Sequence, residues 1–215
     1  MNIFLVIPAY NEQDCLNDLV PLLIKLPYSI LFVNDCSSDS TFDILSSYSE
    51  IQVITNERNL GYSESLSIGI HTAFMYGASH VITLDSDGQH PLDILPDIVN
   101  LFATGSNCVL TIRKGAKPRL SEQLLGILSQ ALWSVPDLYC GMRGFSYTFW
   151  LEYFSQNANT PCMEYPFLKA LISGYRPDLV PINALPRLKG KPRFSARISA
   201  DFLIFKSFFQ SFLIP

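Results

Sequence analysis

Asp85 and Asp87 stand one residue apart at the end of an apolar run, Val81-Ile82-Thr83-Leu84, with Gly88, Gln89, His90 and Pro91 directly after them. The run has the composition of a buried strand. A strand that stops at Asp-x-Asp carries two carboxylates to the edge of a sheet. There they can hold a hard divalent cation against a phosphate-bearing ligand. If strand geometry persists through the pair, both side chains point to one side. Gly88 permits a sharp turn, and Gln89 adds a neutral oxygen. Taken alone, Asp-Ser-Asp-Gly also suits an ordinary polar turn, and His90 either reaches metal or phosphate or only shapes that turn.

The elements that would position these carboxylates alternate along the chain. Ile3–Ile7, Ile30–Val33, Ile51–Thr55, His80–Leu84 and Cys108–Ile112 read as strands. Helices are expected from Asn11 or Glu12 to about Lys25, from the polar cap ending at Thr41 to about Tyr48, from the Asn59–Ser63 loop to near Gly77, and from Pro91 to about Phe102. Such alternation predicts an α/β fold, a mainly parallel sheet flanked by helices. Ligands of these sheets bind beyond the carboxyl ends of the strands. The loops after Ile7, Val33, Thr55 and Leu84 therefore share one edge, and each is polar: Tyr10/Asn11/Glu12, Asp35/Ser37/Asp39, Asn59/Gly61 and Asp85/Asp87/Gln89. Their convergence favours a metal site over a plain turn.

A chain of 215 residues, 48% hydrophobic, suffices for one compact domain with a large core and is short for two. The net charge of -4 makes no general case for a nucleic-acid partner. Charged residues make up 16%, and mean hydropathy is +0.22, so some apolar surface is expected to face a membrane or a partner. No apolar run approaches the ~20 residues that span a bilayer, and Ile3–Ile7 is too short for a signal-peptide core; a cytoplasmic location is the expectation. The five scattered cysteines lack a Cys-x-x-Cys pair and read as reduced thiols.

Six segments in order resemble the inverting glycosyltransferases of family 2, which have the Rossmann-like GT-A fold. Val6-Ile7-Pro8-Ala9-Tyr10-Asn11-Glu12 resembles the first nucleotide-binding loop, Val33 to Thr41 the second, and Asn59-Leu60-Gly61-Tyr62-Ser63 the third. Asp85-Ser86-Asp87-Gly88-Gln89-His90 resembles the metal loop in the form shared by dolichol-phosphate mannose synthase and bacterial polyprenyl-phosphate transferases. Asp137 to Phe145 resembles their Asp-x-x-Cys/Ser-Gly-Phe-Arg segment, and Arg187 to Arg193 their late basic loop. Two departures fall on binding rather than fold. Cys36 stands where Gly is usual, although Gly tolerates backbone angles that Cys does not, and Pro192 removes a donor from the late loop.

The resemblance implies a nucleotide-diphosphate sugar donor, with Pro8, Tyr10, Glu12 and Asp35 on base and ribose. Asp85, Asp87 and Gln89 would coordinate Mg²⁺ or Mn²⁺, with Asp85 and Arg113 also near the donor. Arg143, flanked by Gly141 and Gly144, is a phosphate candidate or else a salt-bridge partner. Arg113, Lys114, Lys117 and Arg119 follow a strand and either flank the diphosphate or acceptor or form a solvated loop. The stretch 187–197 holds Arg187, Lys189, Lys191, Arg193 and Arg197 and no acid, which suits a clamp on diphosphate or on an acceptor phosphate. A hydroxyl acceptor needs a general base; Asp137 is the first candidate and Glu164 the second, although Asp137 would also suit orienting Arg143, and Glu164 beginning a helix to Ile172.

Residues 1–197 are thus expected to form the transferase domain. In 198–215, Ile198, Phe202, Phe205, Phe209 and Phe212 recur at helical spacing, widened by Leu203, Phe208 and Leu213. This amphipathic segment would lie on an anionic membrane, pack on the domain's own core, or meet a second subunit. The implied function is metal-dependent sugar transfer to a membrane-associated acceptor such as polyprenyl phosphate or a glycolipid, peripheral on the inner face of a membrane. The alternatives are transfer to a soluble glycan and a catalytically silent sugar-nucleotide-binding scaffold.

Overall fold

The computed structural model describes residues 1–115, 120–154, 165–189 and 208. The first half alternates as expected: β1 (Ile3–Ala9), α1 (Gln13–Leu23), β2 (Ser29–Asn34), α2 (Thr41–Ser46), β3 (Ile51–Thr55), α3 (Tyr62–Met75) and β4 (His80–Thr83). β1 pairs in parallel with β2 and β4, and β2 with β3. All seven residues of β1 are buried, as both faces of a parallel strand are covered by helices. Phe4 and Val6 face one core, while Ile3, Leu5 and Ile7 face the other. α1 turns Leu16, Leu19, Val20 and Leu23 inward. α3 lies so close to the sheet that a Cβ on Gly69 would come within 2.6 Å of Val6 and 2.7 Å of Val33.

A 3-10 turn (Leu92–Ile94) and α4 (Leu95–Ala103) follow β4. The helix expected to open at Pro91 becomes α-helical only at Leu95. Pro96 lacks an N–H and fits only the first turn of an α-helix. The second half adds β5 (Cys108–Lys114), α5 (Leu120–Trp133), β6 (Arg143–Ser146), α6 (Tyr147–Tyr153), α7 (Tyr165–Ile172) and β7 (Asp178–Asn183). The seven strands form one sheet in the order β3-β2-β1-β4-β6-β5-β7. β6 runs antiparallel to β4 and β5, and β7 parallel to β5, so the sheet is mainly parallel.

One core is strongly aromatic, built around Phe74, Phe145, Phe149, Phe154 and Phe167. Phe208, the described residue within 198–215, is buried in it. The rest of the expected amphipathic helix lies outside the described residues. Among the described residues, no helix is long and apolar enough to cross a membrane.

Candidate active site

The loops after β1, β2 and β3 are laced together at the carboxyl edge. Asn11, at a φ of 54°, donates its N–H to Ser37 Oγ at 2.9 Å and accepts from the Ser38 N–H at 2.7 Å. The Glu12 N–H donates to Thr41 Oγ1 at 2.8 Å. Asp35 ties the second loop to the third: its buried carboxylate accepts from the N–H groups of Leu60 and Gly61, each at 2.8 Å, and from Asn56 Nδ2 at 2.9 Å. Burial opposes this charge, but those donors outweigh it and hold the carboxyl below the ordinary aspartate value. Asp35 therefore organises the second and third loops from beneath. Pro8 is buried at the end of β1, and Tyr10 is exposed beside it.

β4 ends at Thr83, so Asp85 and Asp87 occupy a turn beyond the strand. Asp85 is held from several sides. Tyr62 Oη donates to its Oδ1 at 3.0 Å, and its backbone N–H donates to His90 Nδ1 at 3.0 Å. Burial disfavours an imidazolium and the Asp85 charge favours one. The Nδ1 acceptor decides for a neutral ring with its proton on Nε2, which lies 3.5 Å from Asp85 Oδ2. From below comes Gly141. Thr83 pairs with Arg143 across β4 and β6, and continuing that register sets Asp85 against Gly141, where a Cβ would lie 2.6 Å from both carboxylate oxygens. Thr83 Oγ1 secures the crossing by donating to Gly141 O at 2.6 Å and accepting from the Arg143 N–H at 3.1 Å.

Asp87 is partly buried, and both desolvation and the Asp85 charge push its carboxyl above the ordinary range. The late segment lies along this loop. The Leu185 N–H donates to Gln89 O at 2.9 Å and the Leu188 N–H to Asp87 O at 3.1 Å. Gln89 Nε2 donates to Leu185 O at 3.3 Å, which leaves the amide oxygen as its ligating atom. Gly88, at a φ of 76°, makes the turn beneath Leu188. Arg187 bridges two loops: Nη1 meets Asp87 Oδ2 at 3.1 Å and Nη2 contacts Glu12 Oε2. Among the described residues, three or more His, Cys, Asp and Glu side chains do not converge into a metal cage. Two carboxylates and an amide oxygen nevertheless suit a hard cation that takes its remaining ligands from a diphosphate. The guanidinium on Asp87 shows that this position accepts a positive charge.

Three expectations change on this geometry. Asp137 does not orient Arg143. It grips Arg113, with Nε to Oδ2 at 2.7 Å and Nη2 to Oδ1 at 2.9 Å, and accepts from the backbone N–H groups of Arg113 and Tyr139. Burial alone would raise its pKa, but these bonds depress it, the reverse of what a general base requires. Arg113 also meets Glu122 at 3.0 Å, so two carboxylates compete with any phosphate for it. Arg143 is buried: it donates to Cys140 O at 2.9 Å and Leu138 O at 2.8 Å and lies over the Phe167 ring at 4.8 Å. It braces the 138–140 segment instead of facing the sheet edge. Glu164, Arg119, Lys117, Arg193 and Arg197 lie outside the described residues. Tyr62 and Gly141 carried no assignment from sequence, although both sit in segments that the resemblance marked.

A parallel α/β sheet that gathers a nucleotide-type loop set and an Asp-x-Asp turn at one edge is the architecture of a GT-A transferase. The chain belongs to glycosyl transferase family 2, whose model matches residues 4–156. It is 34% identical over 161 residues to the undecaprenyl-phosphate 4-deoxy-4-formamido-L-arabinose transferase of Yersinia enterocolitica, covering 66% of this chain and 47% of that protein. The corresponding transferase of Edwardsiella ictaluri is 32% identical over 157 residues, covering 65% and 47%. The chain thus spans about half the length of these relatives. Its fold is similar to glucosyl-3-phosphoglycerate synthase of Mycobacterium tuberculosis, solved with Mn²⁺, UDP and glucosyl-3-phosphoglycerate. The TM-score is 0.73 at 17% identity, over 100% of this chain and 81% of that one.

Proposed function

We propose that this chain is the transferase domain of a metal-dependent inverting glycosyltransferase, which moves a sugar from a nucleotide-diphosphate donor to a polyprenyl-phosphate-type acceptor at a membrane surface. The observation that carries the reading is the Asp85–Asp87 turn, backed by Gly141, Tyr62 and His90 and closed by Arg187 from the late loop. Residues 1–197 form the proposed transferase unit, with 198–215 as an appended amphipathic segment, peripheral on the cytoplasmic face. Within that segment, burial of Phe208 favours packing on the core over lying on a bilayer.

Tyr10 and Glu12 would receive the nucleoside, on loops that Asp35, Asn11 and Thr41 hold in place. Asp85, Asp87 and Gln89 would hold Mg²⁺ or Mn²⁺. When bound, such an ion neutralises charge on a departing nucleoside diphosphate. Arg187 would exchange Asp87 for phosphate oxygens, since its fork matches both. The acceptor oxygen attacks the anomeric carbon from the face opposite the diphosphate. The new C–O bond forms as the old one breaks, and the nucleoside diphosphate leaves with the bonding electron pair.

A hydroxyl acceptor would have to lose a proton in this step; a phosphate monoester oxygen is already anionic. The paired and acidified state of Asp137 supports the phosphate acceptor. The names of the two bacterial relatives point the same way. The test has two stages. Calorimetry with UDP-, GDP- and dTDP-sugars, in Mn²⁺ and then in EDTA, should find one metal-dependent donor. That donor, labelled in the sugar, should then glycosylate undecaprenyl phosphate and not a soluble glycan. No donor in any arm sinks the transferase reading; transfer to the glycan alone sinks the acceptor.

A further inference from the structure

Tyr62 is the first residue of α3, yet it adds little to the packing of that helix. The core face of α3 is made by Leu66, Gly69, Ile70, Ala73 and Phe74, whereas Tyr62 is 36% exposed. What Tyr62 does hold is a carboxylate 23 positions away: its Oη donates to Asp85 Oδ1 at 3.0 Å. The backbone from which it reaches is fixed at two points, and Asp35 stands behind both. The Gly61 N–H, directly before Tyr62, donates to Asp35 Oδ2 at 2.8 Å. One helical turn on, Ser65 Oγ accepts from Asn56 Nδ2, which also donates to Asp35 Oδ1, each at 2.9 Å. A continuous path therefore runs from the second loop, through the opening of α3, to the metal turn. Both of its carboxylate ends receive charge-assisted bonds, the stronger kind. The other supports of Asp85 belong to the metal side: His90 accepts its N–H within the same turn, and Gly141 packs against its carboxylate from below. Tyr62 comes from the nucleotide side.

We propose, resting on the ligand assignment above, that Tyr62 is a positioning residue through which the nucleotide loops and the metal turn strengthen one another's ligands. A nucleoside seated on the first three loops steadies the opening of α3. The phenol then stays on Asp85 Oδ1 and keeps that carboxylate turned for a cation. Conversely, an Asp85 carboxylate fixed by a cation offers Tyr62 a constant partner and steadies the third loop for the nucleoside. Such coupling is reciprocal by thermodynamic necessity: the cation raises nucleotide affinity by the same factor as the nucleotide raises cation affinity. A tyrosine that only supported Asp85 would change cation affinity equally with and without nucleotide. A tyrosine that only supported the fold would change nucleotide affinity equally with and without cation.

The test uses the full chain and removes one oxygen atom. Tyr62→Phe keeps the ring. Tyr147→Phe is the control, at an exposed tyrosine whose N–H bonds Ser79 O beside the amino end of β4, away from the metal turn. Calorimetry measures UDP, GDP and dTDP in EDTA and in saturating Mn²⁺, then Mn²⁺ itself with and without the nucleotide that binds. In the parent, Mn²⁺ should tighten that nucleotide. Tyr62→Phe should weaken it about 5–10-fold in Mn²⁺, the low end of the usual coupling range for a partly exposed group, and leave it unchanged in EDTA. Mn²⁺ affinity should fall further with nucleotide present than without, by that same extra factor. Tyr147→Phe should match the parent throughout. An equal loss of nucleotide affinity in EDTA and in Mn²⁺ would mean that Tyr62 touches the nucleotide or supports the fold, and would overturn the proposal. So would an equal loss of Mn²⁺ affinity with and without nucleotide, which leaves Tyr62 a simple support of Asp85. Full parental coupling in Tyr62→Phe would overturn it while leaving the transferase reading intact. A parent that binds none of the three nucleotides in either condition would remove that reading and the coupling together.

Discussion

Gly141 lies directly beneath the Asp85 carboxylate, so close that a Cβ there would come within 2.6 Å of both its oxygens. The contact follows from strand register: β6 runs antiparallel beside β4, with Thr83 opposite Arg143. Asp85 is thereby fixed by the absence of a side chain as well as by Tyr62 and His90. Gly141→Ala should displace the carboxylate at little cost elsewhere, because Gly141 is not at a positive φ. Metal-dependent donor affinity is expected to fall about 10–100-fold, the usual scale for disturbing the support of a ligand. Calorimetry measures this, and a thermal midpoint within a few degrees of the parent would show that the fold survives. Unchanged affinity would remove Asp85 from the site.

Arg187 neutralises Asp87 and Glu12 together. Its removal leaves two largely buried carboxylates facing each other's field. Arg187→Met should therefore destabilise the protein by about 3 kcal/mol in EDTA, as for a broken buried pair. A divalent cation at Asp87 replaces part of the lost charge, so the deficit should shrink when Mn²⁺ is added. Urea unfolding of parent and variant, with and without metal, reads both numbers. An equal deficit in the two conditions would place the cation away from Asp87.

Much of this site was legible because four of its loops follow four strands whose apolar runs are plain in sequence. Asp85, Asp87 and Glu12 could be found that way, since local pattern sets both the strand and its exit. What sequence could not supply was partnership across long separations. Nothing near Asp137 announces that Arg113, 24 residues earlier, takes both its oxygens. Arg187 was readable as a phosphate-type cation, but its bridge to Glu12 joins residues 175 positions apart. β6 spans only four residues, too few for a period to show, so the antiparallel crossing that puts Gly141 under Asp85 was invisible. α5 escaped for a related reason: its leucines would signal a core face, and of them only Leu125 is buried, while Leu120, Leu124, Leu128 and Leu132 are exposed.

The Asp137–Arg113 pair also predicts a pH dependence. Its bonds hold the Asp137 carboxyl below the ordinary aspartate value of 3.8. A group depressed on folding contributes stability that is present above its unfolded value and lost as pH falls through the folded one. Asp137→Asn should cost about 2 kcal/mol near neutral pH, since Arg113 keeps Glu122 but loses its closest partner. That difference should narrow as the pH falls below 3.8 and vanish once the parent carboxyl is protonated. Denaturant titrations across this range test it; a constant difference would mean that the carboxylate charge is not what holds Arg113.

Cys36 adopts a φ of 57°, in the left-handed region, at the loop position where the resembled family usually has glycine. Cys36 thus holds a backbone angle to which glycine is better suited. A non-glycine residue there costs roughly 1–2 kcal/mol, partly offset because glycine has more freedom to lose on folding. The Cys36 thiol recovers little, since it is exposed and meets Glu57 O only at 3.7 Å. Cys36→Gly should therefore stabilise the protein, by about 0.5–1 kcal/mol net. Because Asp35, next in the chain, holds the Leu60 and Gly61 N–H groups, relieving the strain should also tighten donor binding slightly. The measurement is a urea midpoint for the variant beside the parent, followed by donor calorimetry. A lower midpoint would mean that the loop takes its shape from contacts the thiol makes, and that the strained angle is no burden to it.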